Sequence, residues 1–465
     1  MQLTTFLSAL ALAASSRAVN FSAVEGSPGL SDNGTYGPPI EIVHLFQHPP
    51  IGITISKSGR AFVTFNRGNL TANPKTLAEV VNSTADVAWP SADLNAPPAG
   101  LFNLSSGINY GSSDSQHFLN VQGAIVDAYD RLWVLDTGRP ASDGGDNAPS
   151  FPGGPKLMAF SLDDEEGSGL GSANGSTAVN GSTATNDSTT TNGTTYGNST
   201  TSSNSTTSSN STTGATPFTT ITFPNTVLPA TGYLNDFRID LRKGDAGIAY
   251  IADSGSRGII VADLATGESW RHLDLVASVQ PKAGFLPTLF GIPTYQSSAG
   301  NPAYKYPVAA GGGIDGFTLS ADGEYIYFAS ISSRDFYRVP TAPLLVNPLH
   351  DSTATVKAAN SVQYLGELGG AADGLESDST GKIYVTSPEH NAINIYNPDT
   401  GLVEPFVRDP RLAWPDTLAV ADDGYLYVTL PQLWLSAAFQ NGTDKRQKPF
   451  ALARVPIDGK PVRLA

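Results

Sequence analysis

The 465-residue chain carries 42 acidic against 27 basic residues, a formal net charge of −15 with a pI near 4.7, which excludes the basic field that nucleic acid or an anionic membrane surface requires. Only 15% of residues are charged while Gly (47) and Pro (33) are plentiful, which argues against long solvent-facing helices and for a mostly β chain with many turns. Cysteine is absent, so disulfides, thiolate metal sites and a thiol nucleophile are ruled out.

Residues 1–18, MQLTTFLSALALAASSRA, combine an apolar run with the small-x-small triplet Ser16-Arg17-Ala18 and read as a secretory signal peptide. The expected mature chain is secreted and extracellular, and no apolar run reaches the length of a membrane span. Residues 19–36 form a polar, Gly/Ser-rich lead-in, and residues 37–465 carry the fold. EIVHLF, at 41–46, is the first strand. A pattern then recurs: a polar residue opens an apolar strand, an Asp/Gly turn follows, and a strand of aromatic and β-branched residues comes next.

The copies are GITISKSGRAFVTF (52–65), QGAIVDAYDRLWVLDTG (122–138), the stretch 233–273, IDGFTLSADGEYIYFAS (314–330), ADGLESDSTGKIYVTS (372–387) and PDTLAVADDGYLYVTL (415–430). In the third copy four strand runs, FRIDL, IAYIAD, IIVADL and SWRHL, are joined by RKGDAG, SGSRG and ATGE, which predicts a complete four-stranded meander. Such a sheet has two faces to bury and open edges, and radial repetition solves both problems. The expectation is therefore an all-β, six-bladed β-propeller. EIVHLF and FALARVPI (450–457) are the candidates for a blade shared by the two ends of the ring. The stretch 275–307 reads as a cap or channel-side loop.

Residues 163–217 are almost wholly Ser, Thr, Asn and Gly and interrupt the second blade between KLMAFSL and FTTITFP, a composition that predicts a disordered insertion. Within it Asn174, Asn180, Asn186, Asn192, Asn198, Asn204 and Asn210 each open an N-x-Ser/Thr sequon at a spacing of six, so the loop is expected to carry glycans. Asn33, Asn69, Asn82, Asn103 and Asn441 are ordinary surface sequons.

In a propeller the innermost strands line the axis, so their first polar residues converge at one mouth. These are Gln122, Asn235 or Asp236, Asp315, Asp373 and Asp416, with Thr54 alone available in the first copy. Asp236, Asp315, Asp373 and Asp416 would suit Ca²⁺, Mg²⁺ or an ammonium ligand. The plain alternative is that Asp before Gly accepts backbone N–H groups in a tight turn, which Asp315 and Asp373 would fit. Asp136 and Asp253 fall after second strands and read as turn residues. Phe237, Phe317 and Trp414 lie near the mouth, where they would stack on an aromatic or cationic ligand or else pack in the core. Of the six histidines, which show no H-E-x-x-H spacing, His390 is the one expected beside the channel. No nucleophile elbow, P-loop or dinucleotide fingerprint is present.

The phrases LWVLDTG (132–138), NDFRIDLRKGDAGIAYIADSG (235–255), IIVADLATGESWR (259–271), IDGFTLSADGEYIYF (314–328) and NAINIYN (391–397) resemble signature segments of the yellow / major royal jelly protein family, as a cysteine-free, fungal-type member. The resemblance runs from about residue 41 onward, outside the insertion. It implies a secreted six-bladed propeller; members include binders of small molecules such as biogenic amines in the central channel, nutritive proteins, and proteins tied to dopachrome conversion. This chain has Asn394-Ile395-Tyr396 after NAI, where insect members tend to have Cys-Trp. The leading expectation is a glycoprotein binding a small organic ligand, cationic or aromatic, in its channel. The alternatives are an isomerase or tautomerase on a quinone-like precursor, a divalent-metal lactonase, and a storage glycoprotein.

Overall fold

The computed structural model describes residues 34–67, 75–97, 114–139, 150, 153–162, 215–274, 276–298, 301–307 and 312–465. Six four-stranded antiparallel sheets stand around one axis. A first strand, β1 (Glu41–Phe46), precedes blade 1, which is β2 (Pro50–Ile55), β3 (Ala61–Phe65), β4 (Leu77–Val80) and β5 (Asp86–Ala88). Blade 2 is β6 (Val121–Val126), β7 (Arg131–Asp136), β8 (Lys156–Ser161) and β9 (Thr219–Thr222), and blade 3 is β10 (Leu234–Asp240), β11 (Ile248–Asp253), β12 (Gly258–Asp263) and β13 (Ser269–His272). Two hairpins follow, β14 (Thr288–Leu289) with β15 (Ile292–Pro293) and β16 (Tyr295–Ser298) with β17 (Asn301–Pro307), in the stretch read as a cap. Blade 4 is β18 (Ile314–Leu319), β19 (Tyr325–Ser330), β20 (Asp335–Pro340) and β21 (Gln363–Glu367). Blade 5 is β22 (Leu375–Ser377), β23 (Ile383–Ser387), β24 (Ala392–Asn397) and β25 (Leu402–Arg408).

Blade 6 closes the ring. Its order is β26 (Leu418–Val420), β27 (Tyr425–Leu430), β28 (Phe450–Pro456) and then β1, so the expected sharing of one blade between the two ends holds. Closure removes the free edge that an open array would present. The Ser/Thr/Asn insertion connects β8 to β9, and its sequons lie outside the described residues.

The turns explain why short runs become strands. After β6, Asp127 accepts the Tyr129 and Arg131 amides and the Trp133 indole N–H. Asp378 does the same after β22 for the Thr380 amide and the Tyr384 hydroxyl, and Asp423 in blade 6 for the Tyr425 amide and the Tyr427 hydroxyl. One carboxylate thus fixes both the turn and the start of the second strand. Asp136 and Asp253 are structural as expected: Asp136 accepts the Leu119, Asn120 and Gly138 amides and pairs with buried Lys156, while Asp253 accepts the Tyr233 and Gly255 amides and pairs with Arg271.

The apolar core is divided into six wedges, one between each pair of neighbouring blades; Tyr250, Ile259, Phe317 and Phe328, for example, lie between blades 3 and 4. Second strands such as β11 are buried on both faces, which is why their sequences read as unbroken apolar runs. Because the packing lies between sheets, the axis is left open.

The glycines of the Asp-Gly pairs are explained by this arrangement. A Cβ on Gly316 would lie 2.5 Å from the Asp373 carbonyl oxygen, and one on Gly374 would lie 2.3 Å from that of Asp416. Gly52 and Gly123 approach the Gln122 and Asn235 carbonyls in the same way, at 3.0 and 3.1 Å. The inner strands of blades 1, 2, 4 and 5 therefore abut the mouth residue of the next blade, and the tight turn that the Asp-Gly pairs suggested is not what places them. Gly316→Ala is expected to lower stability by roughly 1–3 kcal/mol through overpacking, measurable by urea denaturation. An unchanged midpoint would mean that the blades separate freely.

Candidate functional site

The mouth residues reach the axis because the inner strands slip. The β6–β7 register shifts between Val121 and Gly123, β10–β11 between Leu234 and Phe237, and β18–β19 between Ile314 and Phe317. Gln122, Asn235, Asp236 and Asp315 fall within these slips, where a bulge re-aims side chains out of the ladder. In blades 5 and 6 the inner strands are short, and Asp373 and Asp416 lie just before them. Hydroxyls fix these lead-ins: Thr386 accepts the Asp373 and Gly374 amides, and Thr429 accepts the Thr417 amide while donating to the Ile51 carbonyl of blade 1.

All six of these residues line an axial cavity of about 90 Å³. That is room for roughly half a dozen waters or a small organic group. A hydrogen-bond chain runs around half of the mouth. The buried Tyr233 hydroxyl donates to Gln122 Oε1 at 2.6 Å and lies 3.2 Å from Asn66 Oδ1; Gln122 Nε2 donates to Asn235 Oδ1 at 3.0 Å, and Asn235 Nδ2 donates to Asp315 Oδ1 at 2.6 Å. On the other half, Trp414 Nε1 donates to Asp373 Oδ2 at 2.5 Å and Thr417 Oγ1 lies 3.4 Å from Asp416 Oδ1.

Burial raises all three carboxyls. Asp373 is pushed up to about 7 by desolvation, with Asp236 adding to it and the Trp414 bond opposing. Asp315 and Asp416 are held well above the usual carboxylate range by desolvation and by the neighbouring carboxylates. Burial likewise pushes the Tyr233 hydroxyl up. None of the three carboxyls has a basic hydrogen-bond partner among the described residues.

One step deeper, Arg238 crosses the channel from blade 3 to blade 5. Nη1 bonds Asp236 at 2.6 Å and the Phe237 carbonyl at 2.7 Å; Nη2 bonds the Leu375 carbonyl at 2.7 Å and Glu376 at 3.2 Å. Desolvation raises Asp236 and Glu376, partly offset by Arg238. Below this belt the walls become apolar, with Ile53, Ile239, Leu319 and Val420, and the far end is lined by residues 461–464.

The other expected site residues lie elsewhere. Phe317 is fully buried between blades 3 and 4 and Phe237 between blades 2 and 3. Trp414, held at a positive φ of 60°, packs against Leu289 and Trp434 and reaches the site only through its bond to Asp373. His390 is exposed in a 3₁₀ turn, bonded to the Ser387 hydroxyl, and does not line the cavity. Thr54 does line it, below the mouth. Among the described residues no three His, Cys, Asp or Glu side chains are grouped to hold one metal ion, so the Ca²⁺ or Mg²⁺ expected of an oxygen-rich ring does not fit these carboxylates as they stand. No helix among them is long and apolar enough to cross a membrane. Of the sequons, Asn82 and Asn441 are exposed; the others lie outside the described residues.

Arg238, Glu376, Tyr233 and Asn66 were missed by sequence reasoning, which stopped at the first polar residue of each copy. The available signal was a second charged residue in FRID and in LES.

No curated protein matches the chain. Solved structures that resemble it include a luciferin-regenerating enzyme (12% identity, 92% of this chain and 99% of that one, TM-score 0.45), a calcium-binding regucalcin from Agrobacterium tumefaciens (13%, 92% and 98%, 0.43) and a streptogramin B lyase (11%, 91% and 98%, 0.41). At these identities and scores the likenesses carry no argument about activity. The family model described as major royal jelly protein matches residues 211–458, more than half of the chain and the span that holds blades 3 to 5 and three strands of blade 6 with their four aspartates, and the chain belongs to that family.

Proposed function

We propose that the protein binds a small organic cation in its axial channel, with the ammonium or equivalent group seated among Asp315, Asp373 and Asp416. One observation carries this reading: a buried carboxyl, Asp373, and two half-buried ones, Asp315 and Asp416, face one mouth with Trp414, Asn235 and Thr417, none of them basic, as their side-chain partners. Carboxylates so placed repel one another, and a ligand cation relieves the repulsion while its body fills the cavity. Family membership supports the reading. Secretion, glycosylation and an extracellular location belong to the same proposal and rest on the leader and the sequons.

Titration calorimetry against a panel of amines and neutral phenols tests it. Amines are expected to bind, and to bind more tightly as pH rises through about 7, where Asp373 ionises. Heat from the neutral phenols alone, or from nothing in the panel while the fold is intact, would remove the basis of the proposal. A second reading is favoured by the same carboxyl: a group that titrates near neutrality suits general acid–base work, which fits an isomerase on a quinone-like substrate.

A further inference from the structure

The channel has two mouths, and the segment 458–464 that follows β28 lies across the second. It leaves blade 6 and runs over blade 5, where the Ser379 amide donates to the Lys460 carbonyl at 2.8 Å and the Lys460 amide to Ser379 Oγ at 3.0 Å. It then crosses to blade 3, where the Leu241 amide donates to the Leu464 carbonyl at 2.9 Å and Asp240 pairs with Leu464 in parallel. Blades 5 and 3 flank blade 4, so the path is a chord across the end of the channel, inside blade 4. Arg463 projects to the opposite side, bonding Asp422 of blade 6 at 2.5 Å and the Ile55 carbonyl of blade 1 at 3.2 Å. Leu464 is 8% exposed and joins the apolar wedge of blades 3 and 4.

We infer that this segment is a plug that makes the channel one-ended, setting the length of the ligand the cavity accepts and forcing it to enter past the carboxylates. The inference concerns the cavity of the proposed binding site but does not need its ligand to be a cation. Two features fit a built closure rather than a trailing peptide. Gly459 is the residue that lets the chain pass over blade 5, because a Cβ there would lie 2.1 Å from Asp378 Oδ2, and that carboxylate is already held by Thr380 and Tyr384. The segment is also anchored on both sides of the axis, Arg463 pairing with Asp422 of blade 6 while Leu464 packs into the wedge between blades 3 and 4.

A cysteine-free chain makes the test clean. Ser377, 1% exposed, lines the cavity immediately before Asp378, and Ser377→Cys places a single thiol behind the plug. A maleimide too bulky for the cavity is expected to label it slowly in the full chain and about tenfold or more faster when Arg463→Ser and Leu464→Ser release the segment, since local opening then replaces a closed floor. Gln122→Cys at the other mouth is expected to label at one rate in both backgrounds. Equal rates at Ser377→Cys with and without the release would overturn the plug. Acceleration at both thiols would mean that the double substitution loosens the fold, and Gly459→Val then decides, because it lifts the segment without removing a core side chain. Protection retained in that variant overturns the inference. Amine calorimetry on the same proteins keeps the two readings apart: loss of amine binding with the plug intact counts against the cation site alone.

Discussion

Arg238→Met is expected to destabilise the protein by about 2–4 kcal/mol at neutral pH, because it strands two largely desolvated carboxylates at once. The guanidinium is the hydrogen-bonded counterion of both Asp236 and Glu376, and it also satisfies the Phe237 and Leu375 carbonyls. Methionine keeps the volume and none of these bonds. Burial already raises Asp236 and Glu376, and removing the cation raises them further. A carboxyl whose folded pKa lies above its unfolded one favours the folded state at low pH and loses that advantage as pH rises toward the folded value. The deficit should therefore be largest near pH 7 and shrink toward pH 4, as read from urea midpoints at the two pH values. A deficit that is the same at both would mean that Arg238 acts through packing alone. Arg238→Lys should recover only part of the loss, since a point charge cannot bridge blades 3 and 5 as a planar fork does.

Asp373→Asn is expected to act in the opposite direction on stability, raising it by roughly 1–3 kcal/mol at pH 7.5 while weakening amine binding about tenfold or more. Asp373 holds its proton in the folded state up to about pH 7, whereas the unfolded chain releases it near 3.8. The wild-type protein should accordingly lose stability between about pH 4 and 7 and level off above, and the Asn variant should lack that decline. The amide oxygen still accepts from Trp414, so the comparison isolates charge. Thermal melts at pH 4.5 and 7.5 with and without amine read both effects. A variant less stable than the parent at pH 7.5 would show Asp373 to be a structural anchor. If the site also isomerises a quinone-like substrate, turnover disappears with the same substitution.

The blades were legible because their causes are local: an Asp in the turn after the first strand, a double-buried second strand, and a glycine where the next blade passes. The mouth was legible for a related reason, since five of the six copies open with a polar residue at one position; the first offers only Thr54, which lies below the mouth. What failed was parity. The slips in β6, β10 and β18 break the strict alternation of side chains, so counting from Phe237 or Phe317 does not say which residues face the axis. Trp414 looked like a ligand-stacking ring, but its left-handed backbone turns the indole into a packed cluster with only the N–H at the site. The network linking Tyr233 to Gln122 and Asn66 spans 111 and 167 residues and has no periodic signature. The closing segment was missed for the same reason: a path over the channel end leaves no pattern in a run as short as 458–464.

Pairing β1 with β28 also sets when the molecule can form. The Glu41–Arg454 contact joins residues 413 apart in the chain, so during synthesis the first strand emerges and waits, its hydrogen-bonding edge unmet, until nearly the whole polypeptide has left the ribosome. Blades 1 to 5 can assemble as they appear, but the ring snaps shut last, and the intermediate just before that step is a horseshoe with two sticky ends. Folding yield, more than final stability, should therefore be the quantity most sensitive to changes in EIVHLF.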